Sequence, residues 1–493
     1  MRLWPSRPAL VFLLTAFGFS PVPVFAADMD FAPAASVTQG LSPVAHKTLA
    51  NGLQVLVAPS GNADLVTVDA WVGAGTRRET PDNNGAAHFI EHLLFKGTPT
   101  RQPGEIDAAI EDLGGSMNAA TSYDWAHFYV TVGSSDTEPA LGVLSDVLMH
   151  AELRQQDMDQ ERPVILNEMA RQLADPSQRI ARVLSAITFP THPYGRPLLG
   201  PPTQVTSMTR KTVQDFYHEY YVPGNVTLVL TGKITPDEGF AMAEKAFGKW
   251  AERPLPEDKV LPEPPQTDIR TRSMVAPVSK GYLTIGFRAP SVRDHSQAYA
   301  MDVLLTILGQ GGHNRLTDDL LTKQKLVTGI SANYLTQKDE GMMTITAVFE
   351  PGNRDKVLKA ILGEITALRE TPVSEKELAA AKHSLLSSYL FDVQTTSGRA
   401  NALGFYNMID SYQYDTAYIT KFENLTPAQV QDAAVKYLDP NKYSLVTLLP
   451  ATDPITATSL SNDGPALAPR LPAVNSNAVS RGADTDPTNA SRL

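Results

Sequence analysis

Two kinds of hydrophobic pattern run through the middle of this chain. QVLVAP (Gln54–Pro59) and TVDAWVGAG (67–75) carry apolar and β-branched residues in short alternating runs, which predicts strands. The stretch from Gly85 to Phe95 carries its apolar residues at helical spacing and predicts a helix. Such elements come in runs and not in strict alternation, so the pattern predicts an α+β layer fold with a largely antiparallel sheet.

The same order of elements is written twice. Val213-Gln214-Asp215 recurs as Val430-Gln431-Asp432, and Tyr220 and Pro223 fall on Tyr437 and Pro440, all at an offset of 217 residues. Each set is followed by a β-rich run, NVTLVLTG (225–232) and KYSLVTLL (442–449). Upstream, LVTVDAWV (Leu65–Val72) lies over YLTIGFRA (282–289), with Thr67 on Thr284. A constant offset at both ends of a span of about 180 residues indicates an internal duplication. The repeats define a first domain over 42–250 and a second over 273–450. Between them ERPLPEDKVLPEPPQTD (252–268), rich in proline and charge, predicts an extended linker across 251–272.

The ends stand apart from this pattern. Residues 1–26 have the form of a secretory leader: Arg2 and Arg7, an apolar run of eleven residues from Ala9 to Phe19, prolines at 21 and 23, then Val24-Phe25-Ala26 before a cleavage point. The apolar run is too short to span a bilayer, so an exported protein with no remaining span is expected, in a bacterial periplasm. Residues 451–493 are aromatic-free and dense in Ser, Thr, Asn, Asp, Pro and Ala, the composition of a disordered tail.

Composition narrows the chemistry. The 493 residues, 42% hydrophobic and 19% charged, suit a globular protein of two to four domains. A net charge of −11 argues against a nucleic-acid partner. There is no cysteine, which removes disulfides, thiolate catalysis, iron–sulfur clusters and every zinc site built on sulfur. Any metal must be held by His, Asp and Glu.

His88-Phe89-Ile90-Glu91-His92 fits that requirement. Positions i, i+3 and i+4 of a helix share a face, so His88, Glu91 and His92 point the same way. Two imidazoles one turn apart can reach one zinc, and the glutamate beside the second is placed to take a proton from a metal-bound water. The order mirrors the His-Glu-x-x-His motif, with the carboxylate next to the other histidine. Phe89, Ile90, Leu93, Leu94 and Phe95 make the helix strongly apolar, and such a helix does not bury three polar groups together without a partner such as a metal. A two-His-one-carboxylate iron oxygenase is a poorer reading, because Glu91 has no task in that chemistry. A third ligand is expected from Glu161 or Glu168, seven residues apart and so on one helix face. The pattern alone leaves either as the ligand, and Pro163 between them predicts a tightened or kinked turn. His127 and His150 are expected to be core or surface residues and not ligands.

HFIEHLLFKGT (88–98), followed 76 residues after His92 by Glu168 in ERPVILNE (161–168), resembles the inverzincin zinc metallopeptidases. This is the pitrilysin-type family that includes the mitochondrial processing peptidase, here in a short two-domain form. The resemblance continues through GGSMNAATSYDWAHFYV (114–130) and HPYGRPLLG (192–200) and covers about residues 42–450. It implies that His88, His92 and Glu168 ligate one Zn2+ per chain, that Glu91 is the general base, and that Glu161 orients the site. It also implies that each repeat is an α/β roll, an antiparallel sheet packed on helices, and that two rolls form half of a clamshell completed by a second chain. A peptide substrate is expected to dock as an added strand, with Asn118, Ala119, Ala120 and Thr121 as the candidate edge.

Two departures follow from the same resemblance. The second repeat has AMDVLLTILGQGG (300–312) where the histidines would fall, and so no metal site. Active relatives usually carry an arginine and a tyrosine in the C-terminal copy, in a pattern like L-R-E-K-x-G-L-x-Y, that help bind the substrate carbonyl. Here LLTKQKLVT (320–328) puts Leu321 and Thr328 at those places, with Arg315 and Tyr334 nearby. Loss of such donors costs about 10²–10³ in rate. A heterodimer is therefore expected, in which a homologous partner lacking the metal motif supplies the arginine and tyrosine; a homodimer is the alternative. The rival from another class is a non-catalytic or weakly active peptide-binding member of the same fold.

Overall fold

The structure is a computed structural model that describes residues 42–60 and 63–451. The leader at 1–26 and, past Ala451, the expected tail lie outside the described residues.

The first repeat builds a six-stranded sheet from β1 (Ala45–Thr48), β2 (Gln54–Pro59), β3 (Leu65–Val72), β4 (Ser116–Thr121), β5 (Ala126–Gly133) and β6 (Val226–Gly232). Its order is β1-β2-β6-β3-β5-β4. The second uses β7 (Arg270–Ala276), β8 (Gly281–Arg288), β9 (Val327–Tyr334), β10 (Met342–Phe349) and β11 (Ser444–Pro450), in the order β7-β11-β8-β10-β9. Each sheet has one parallel pair, β2 with β6 and β7 with β11, and is otherwise antiparallel. Without β1 the two orders are the same. The helices of the first repeat are α1 (Ala86–Leu93), α2 (Glu105–Asp112), α3 (Thr137–His150), α4 (Gln155–Ala174), α5 (Pro176–Thr188), α6 (Pro202–Ser207), α7 (Arg210–Tyr220) and α8 (Pro236–Phe247). The second has α9 (His295–Gly309), α10 (Arg354–Glu370), α11 (Glu375–Val393), α12 (Thr396–Ile409), α13 (Tyr412–Glu423) and α14 (Pro427–Tyr437).

The duplication is physical. Thr67 lies opposite Thr131 and Thr284 opposite Thr346, and the two hydroxyl pairs bond at 2.9 and 3.0 Å. Thr209 and Thr426 cap α7 and α14 by accepting from the third backbone amide on, and the helices end at Tyr220 and Tyr437. The offset of 217 does not hold at every strand: Thr131 and Thr346, the partners of these two threonines on β5 and β10, are 215 residues apart. Thr231 faces Thr67 and Val446 faces Thr284, so β11 too sits two residues short of the 217-residue step. The chain from Tyr437 into β11 is shorter than its counterpart by that amount.

Both faces of the central strands are buried, which is why LVTVDAWV and VTLVLTG are nearly continuous in apolar residues. Val66, Val68, Ala70 and Val72 of β3 join the main core of the first repeat, under its own helices. The opposite face, with Leu56, Ala58, Trp71 and Val229, is covered by Ala400 and Leu403 of α12, a helix of the second repeat. The exchange is reciprocal: Ile180 and Leu184 of α5, from the first repeat, cover Ala276, Val446 and Leu448 on the second sheet. Thr396 fixes the start of α12, bonding the Thr67 hydroxyl at 2.8 Å and accepting from Thr231 at 2.6 Å.

The segment between the repeats has no helix or strand over 251–269, and β7 begins at Arg270, inside the expected linker. Two of its carboxylates are held by the first repeat. Asp258 pairs with Arg77 at 2.7 Å, and Glu263 accepts from the Thr191 and His192 amides at 3.0 and 2.6 Å. Among the described residues no helix is long and apolar enough to cross a membrane.

Candidate metal centre

Helix α1 starts at Gly85, whose φ of 105° is left-handed, and packs between α4, α7 and the edge strand β4. Phe89, Ile90 and Leu93 point into the core. His88 and Glu91 are buried as well, and with His92 they form the face turned to α4. Helix α4 runs through Pro163 without a break. Pro163 and Asp159, whose carbonyl loses its intrahelical donor, are both on the exposed side, where water can replace that bond. The turn is also anchored by Arg162, which donates to the Thr206 and Met208 carbonyls at 3.1 and 2.9 Å.

The two glutamates of α4 take different places. Glu168 Oε2 stands 3.6 Å from His88 Nε2 and 3.7 Å from His92 Nε2, and a ligand atom from each of the three lies within 4.8 Å of the others. Glu161 instead reaches the far side of the second imidazole: its Oε2 is 3.0 Å from His92 Nδ1, and its Oε1 is 2.7 Å from Lys96 Nζ. Among the described residues no other group of His and carboxylates has a ligand set's geometry.

These residues fit a metal. Both ring nitrogens of His88 are buried without a hydrogen-bond partner, although an orphaned buried polar group costs about 1–3 kcal/mol. Separations of 3.6 and 3.7 Å are too long for hydrogen bonds. They are close to the roughly 3.4 Å between two ligands of one tetrahedral zinc. Burial, and then the charge of His92, holds the His88 imidazole well below its ordinary pKa, in the neutral form that ligates. Burial opposes protonation of His92 too, but the hydrogen bond to Glu161 and the nearby carboxylates of Glu168 and Glu91 prevail and push it up to about 9. Burial raises the Glu91 carboxyl, against the Thr121 hydroxyl and the His92 charge, which lower it. A carboxylate whose hold on a proton is strengthened beside two imidazoles is placed to take one from a neighbouring water.

Asn118, Ala119, Ala120 and Thr121 all lie on β4, which closes one edge of the first sheet. Thr121, predicted only as part of that edge, also places its buried hydroxyl next to Glu91. His127 and His150 stand outside the trio: His127 Nδ1 meets Asp69 at 3.1 Å, and His150 lies exposed beside Asp146. Lys96, one turn beyond His92, was not expected at the site; its spacing within HFIEHLLFK was the available signal.

In the second repeat α9 carries no histidine at the corresponding positions. Leu321 is half-buried in a π-helical turn, Thr317–Lys323, and Thr328 is exposed at the start of β9 with its hydroxyl on the Val348 carbonyl at 3.2 Å. The neighbours are engaged elsewhere. Arg315 forms a two-pronged pair with Glu377 at 2.7 and 2.9 Å, and the Tyr334 hydroxyl donates to the Pro290 carbonyl at 2.9 Å.

A helix-borne His–His–Glu trio with a buried glutamate beside it, on a duplicated α+β fold, is the architecture of a metallopeptidase. The family profile described as "Insulinase (Peptidase family M16)" matches residues 54–202, and "Peptidase M16 inactive domain" matches 207–385. The chain belongs to peptidase family M16. It is 29% identical over 417 residues to a probable mitochondrial-processing peptidase subunit beta of Arabidopsis thaliana, covering 82% of this chain and 78% of that one. It is 27% identical over 357 residues to the uncharacterized zinc protease YmxG of Bacillus subtilis, covering 72% and 86%. Among solved structures, a protease from Helicobacter pylori matches with a TM-score of 0.80 at 24% identity, over 83% of this chain and all (100%) of that one. A peptidase M16 inactive domain from Pseudomonas fluorescens matches at 0.75 and 22%, over 83% and 98%.

Proposed function

We propose that this chain is the metal-bearing subunit of an exported zinc endopeptidase that hydrolyses peptides or unfolded segments. The observation that carries the reading is the buried, unpartnered His88, grouped with His92 and with Glu168 at 3.6 Å from its Nε2, one turn from a buried Glu91. His88, His92 and Glu168 hold one zinc per chain. When bound, the ion supplies Lewis acidity, lowering the pKa of a coordinated water and polarising the scissile carbonyl. Glu91 takes a proton from the attacking water and delivers it to the departing amine. Glu161, itself held by Lys96, fixes the orientation of His92 through Nδ1. The free edge of β4 receives the substrate backbone as an added strand.

The partner is a homologous chain. Leu321 and Thr328 stand where active relatives have arginine and tyrosine, and Arg315 and Tyr334 are bonded elsewhere. A partner carrying those two donors completes the site, and the relative named as a beta subunit supports such pairing. The missing donors also favour the alternative, a weakly active or non-catalytic peptide-binding member. Export to a periplasm rests on the leader pattern, and N-terminal sequencing of the native protein tests it.

The deciding experiment is Glu91→Gln with metal analysis, on the chain and on whatever co-purifies with it from the host. Retained zinc with peptide cleavage lowered by about 10²–10⁴ supports the peptidase, since the metal remains while the general base is lost. Unchanged cleavage, or no zinc in the wild type, rejects it. Full activity in a pure homodimer rejects the heterodimer.

A further inference from the structure

The metal helix α1 begins without a side-chain cap of its own. Its N-cap is Gly85, where an added Cβ would stand 2.9 Å from the Leu199 carbonyl oxygen, so no capping residue fits there. The first-turn amides nevertheless have a partner, supplied from outside the helix. Glu79, only 3% exposed, accepts from the Ala87 amide at 2.8 Å through Oε1 and from Asn84 Nδ2 at 2.6 Å through Oε2. The Gly85 amide faces the same carboxylate. Ala87 immediately precedes His88, so this bond lies one peptide from the first candidate ligand.

The segment that bears Glu79 is itself fixed at several points. Arg196 donates to the Glu79 carbonyl, and the Thr76 hydroxyl donates to the Leu198 carbonyl at 3.1 Å. Two residues before Glu79, the buried Arg77 donates through Nε to Asp339 at 2.5 Å and through Nη1 to Asp258 at 2.7 Å. Asp339 sits in the turn between β9 and β10 of the second repeat, and Asp258 in the segment between the repeats. A single 3-10 turn, Thr76–Arg78, thus joins the second repeat to the start of the metal helix.

We propose that Glu79 is a positioning residue of the metal centre: by holding the first-turn amides of α1 it sets where that helix starts, and so where His88 and His92 stand against Glu168 of α4. The inference rests on reading the trio as metal ligands. A carboxylate is suited to the task because it offers acceptors only; burial pushes Glu79 up to about 7, and the bonds from Ala87, Asn84 and Gly85 oppose that by favouring the charged form. Glutamine at this place turns one acceptor into a donor and confronts an amide or Asn84 with it. Helix α1 then starts from a looser anchor, and the ligands lose their preset spacing. The second repeat, metal-free itself, contributes by way of Arg77.

The test uses the full chain, first stripped of metal and then titrated with Zn2+ against a chromophoric chelator. Hydrogen exchange of the α1 amides in the metal-free protein is the companion measurement. Glu79→Gln is expected to weaken zinc binding by about tenfold or more, the scale seen when supports of metal ligands are removed, and to speed exchange in α1 selectively. Asn84→Ala, which leaves the carboxylate in place with one partner fewer, is expected to shift both in the same direction by less. A merely structural role would lower the melting temperature without altering zinc affinity or α1 exchange in the folded protein. The inference is overturned if folded Glu79→Gln keeps both within twofold of wild type. It is also overturned if that variant does not fold and Asn84→Ala leaves both unchanged. A wild type that binds no zinc overturns the proposed function instead.

Discussion

Gly404 and Gly363 offer the same substitution with opposite expected signs. Gly404 lies on α12 where that helix crosses the first sheet, and an added Cβ would stand 2.1 Å from Trp71 Nε1 and 2.3 Å from its Cδ1. Trp71 is fully buried and hemmed in by Trp125 and His127, at ring separations of 4.7 and 4.2 Å, so the indole has little room to retreat. Restoring ordinary contact requires α12 to lift by roughly 1 Å, which loosens Ala400 and Leu403 against Leu56, Ala58 and Val229. Overpacking of this kind costs about 3 kcal/mol, the upper end of its usual range, and the better helix propensity of alanine returns about 1. Gly404→Ala should therefore destabilise by about 2 kcal/mol. Gly363 lies exposed on α10 with nothing within 4 Å of an added Cβ, so Gly363→Ala should stabilise by about 0.5–1 kcal/mol. Urea unfolding followed by tryptophan emission reads both, because Trp71 and Trp125 lie at the packing site. A Gly404→Ala protein as stable as wild type would falsify the close packing of α12 on the first sheet.

Other consequences are equally direct. Removing the Glu161 side chain by Glu161→Ala frees His92 Nδ1 and Lys96, and should weaken zinc binding by about 10–100-fold in a chelator competition; an unchanged affinity would show that His92 needs no such support. Burial pushes the Asp302 carboxyl up to about 7, with the Tyr418 hydroxyl at 2.9 Å pulling the other way. A folded-state pKa raised above the unfolded one gives stability that is full below about pH 4 and lost as pH rises through 7. Asp302→Asn removes that loss, so its melting temperature relative to wild type should be higher at pH 8 than at pH 5, and an equal difference at both would refute the assignment.

Much of the site could be read from the sequence because its signals are local. His88, Glu91 and His92 fall within five residues of one helix, and the two candidate glutamates within eight of another. Helical periodicity alone puts each set on one face. What separates Glu168 from Glu161 is the placement of α4 against α1, a tertiary fact, and only the structure shows Glu168 against both Nε2 atoms and Glu161 on Nδ1. Glu79 had no signal at all, since a carboxylate that caps a helix from outside leaves no spacing rule behind. The repeat was legible where one offset relates the copies, at Thr209 and Thr426 and at Thr67 and Thr284, and slipped by two residues at β10 and β11, whose connecting segments differ in length between the copies. The covering of each sheet by the other repeat's helix was invisible for a plainer reason. Contacts such as Thr67 with Thr396 join residues 329 apart, and periodicity says only that a face is apolar, not what will cover it.

That exchange bears on how such a chain can be cut or assembled. A fragment ending in the linker would keep α5 with no sheet to lie on and leave Leu56, Ala58, Trp71 and Val229 open to water. The second repeat alone would be left in the mirror-image condition. The smallest self-sufficient unit of this architecture is the pair, so any ancestor carrying one copy had to meet a second before either sheet was dry on both sides.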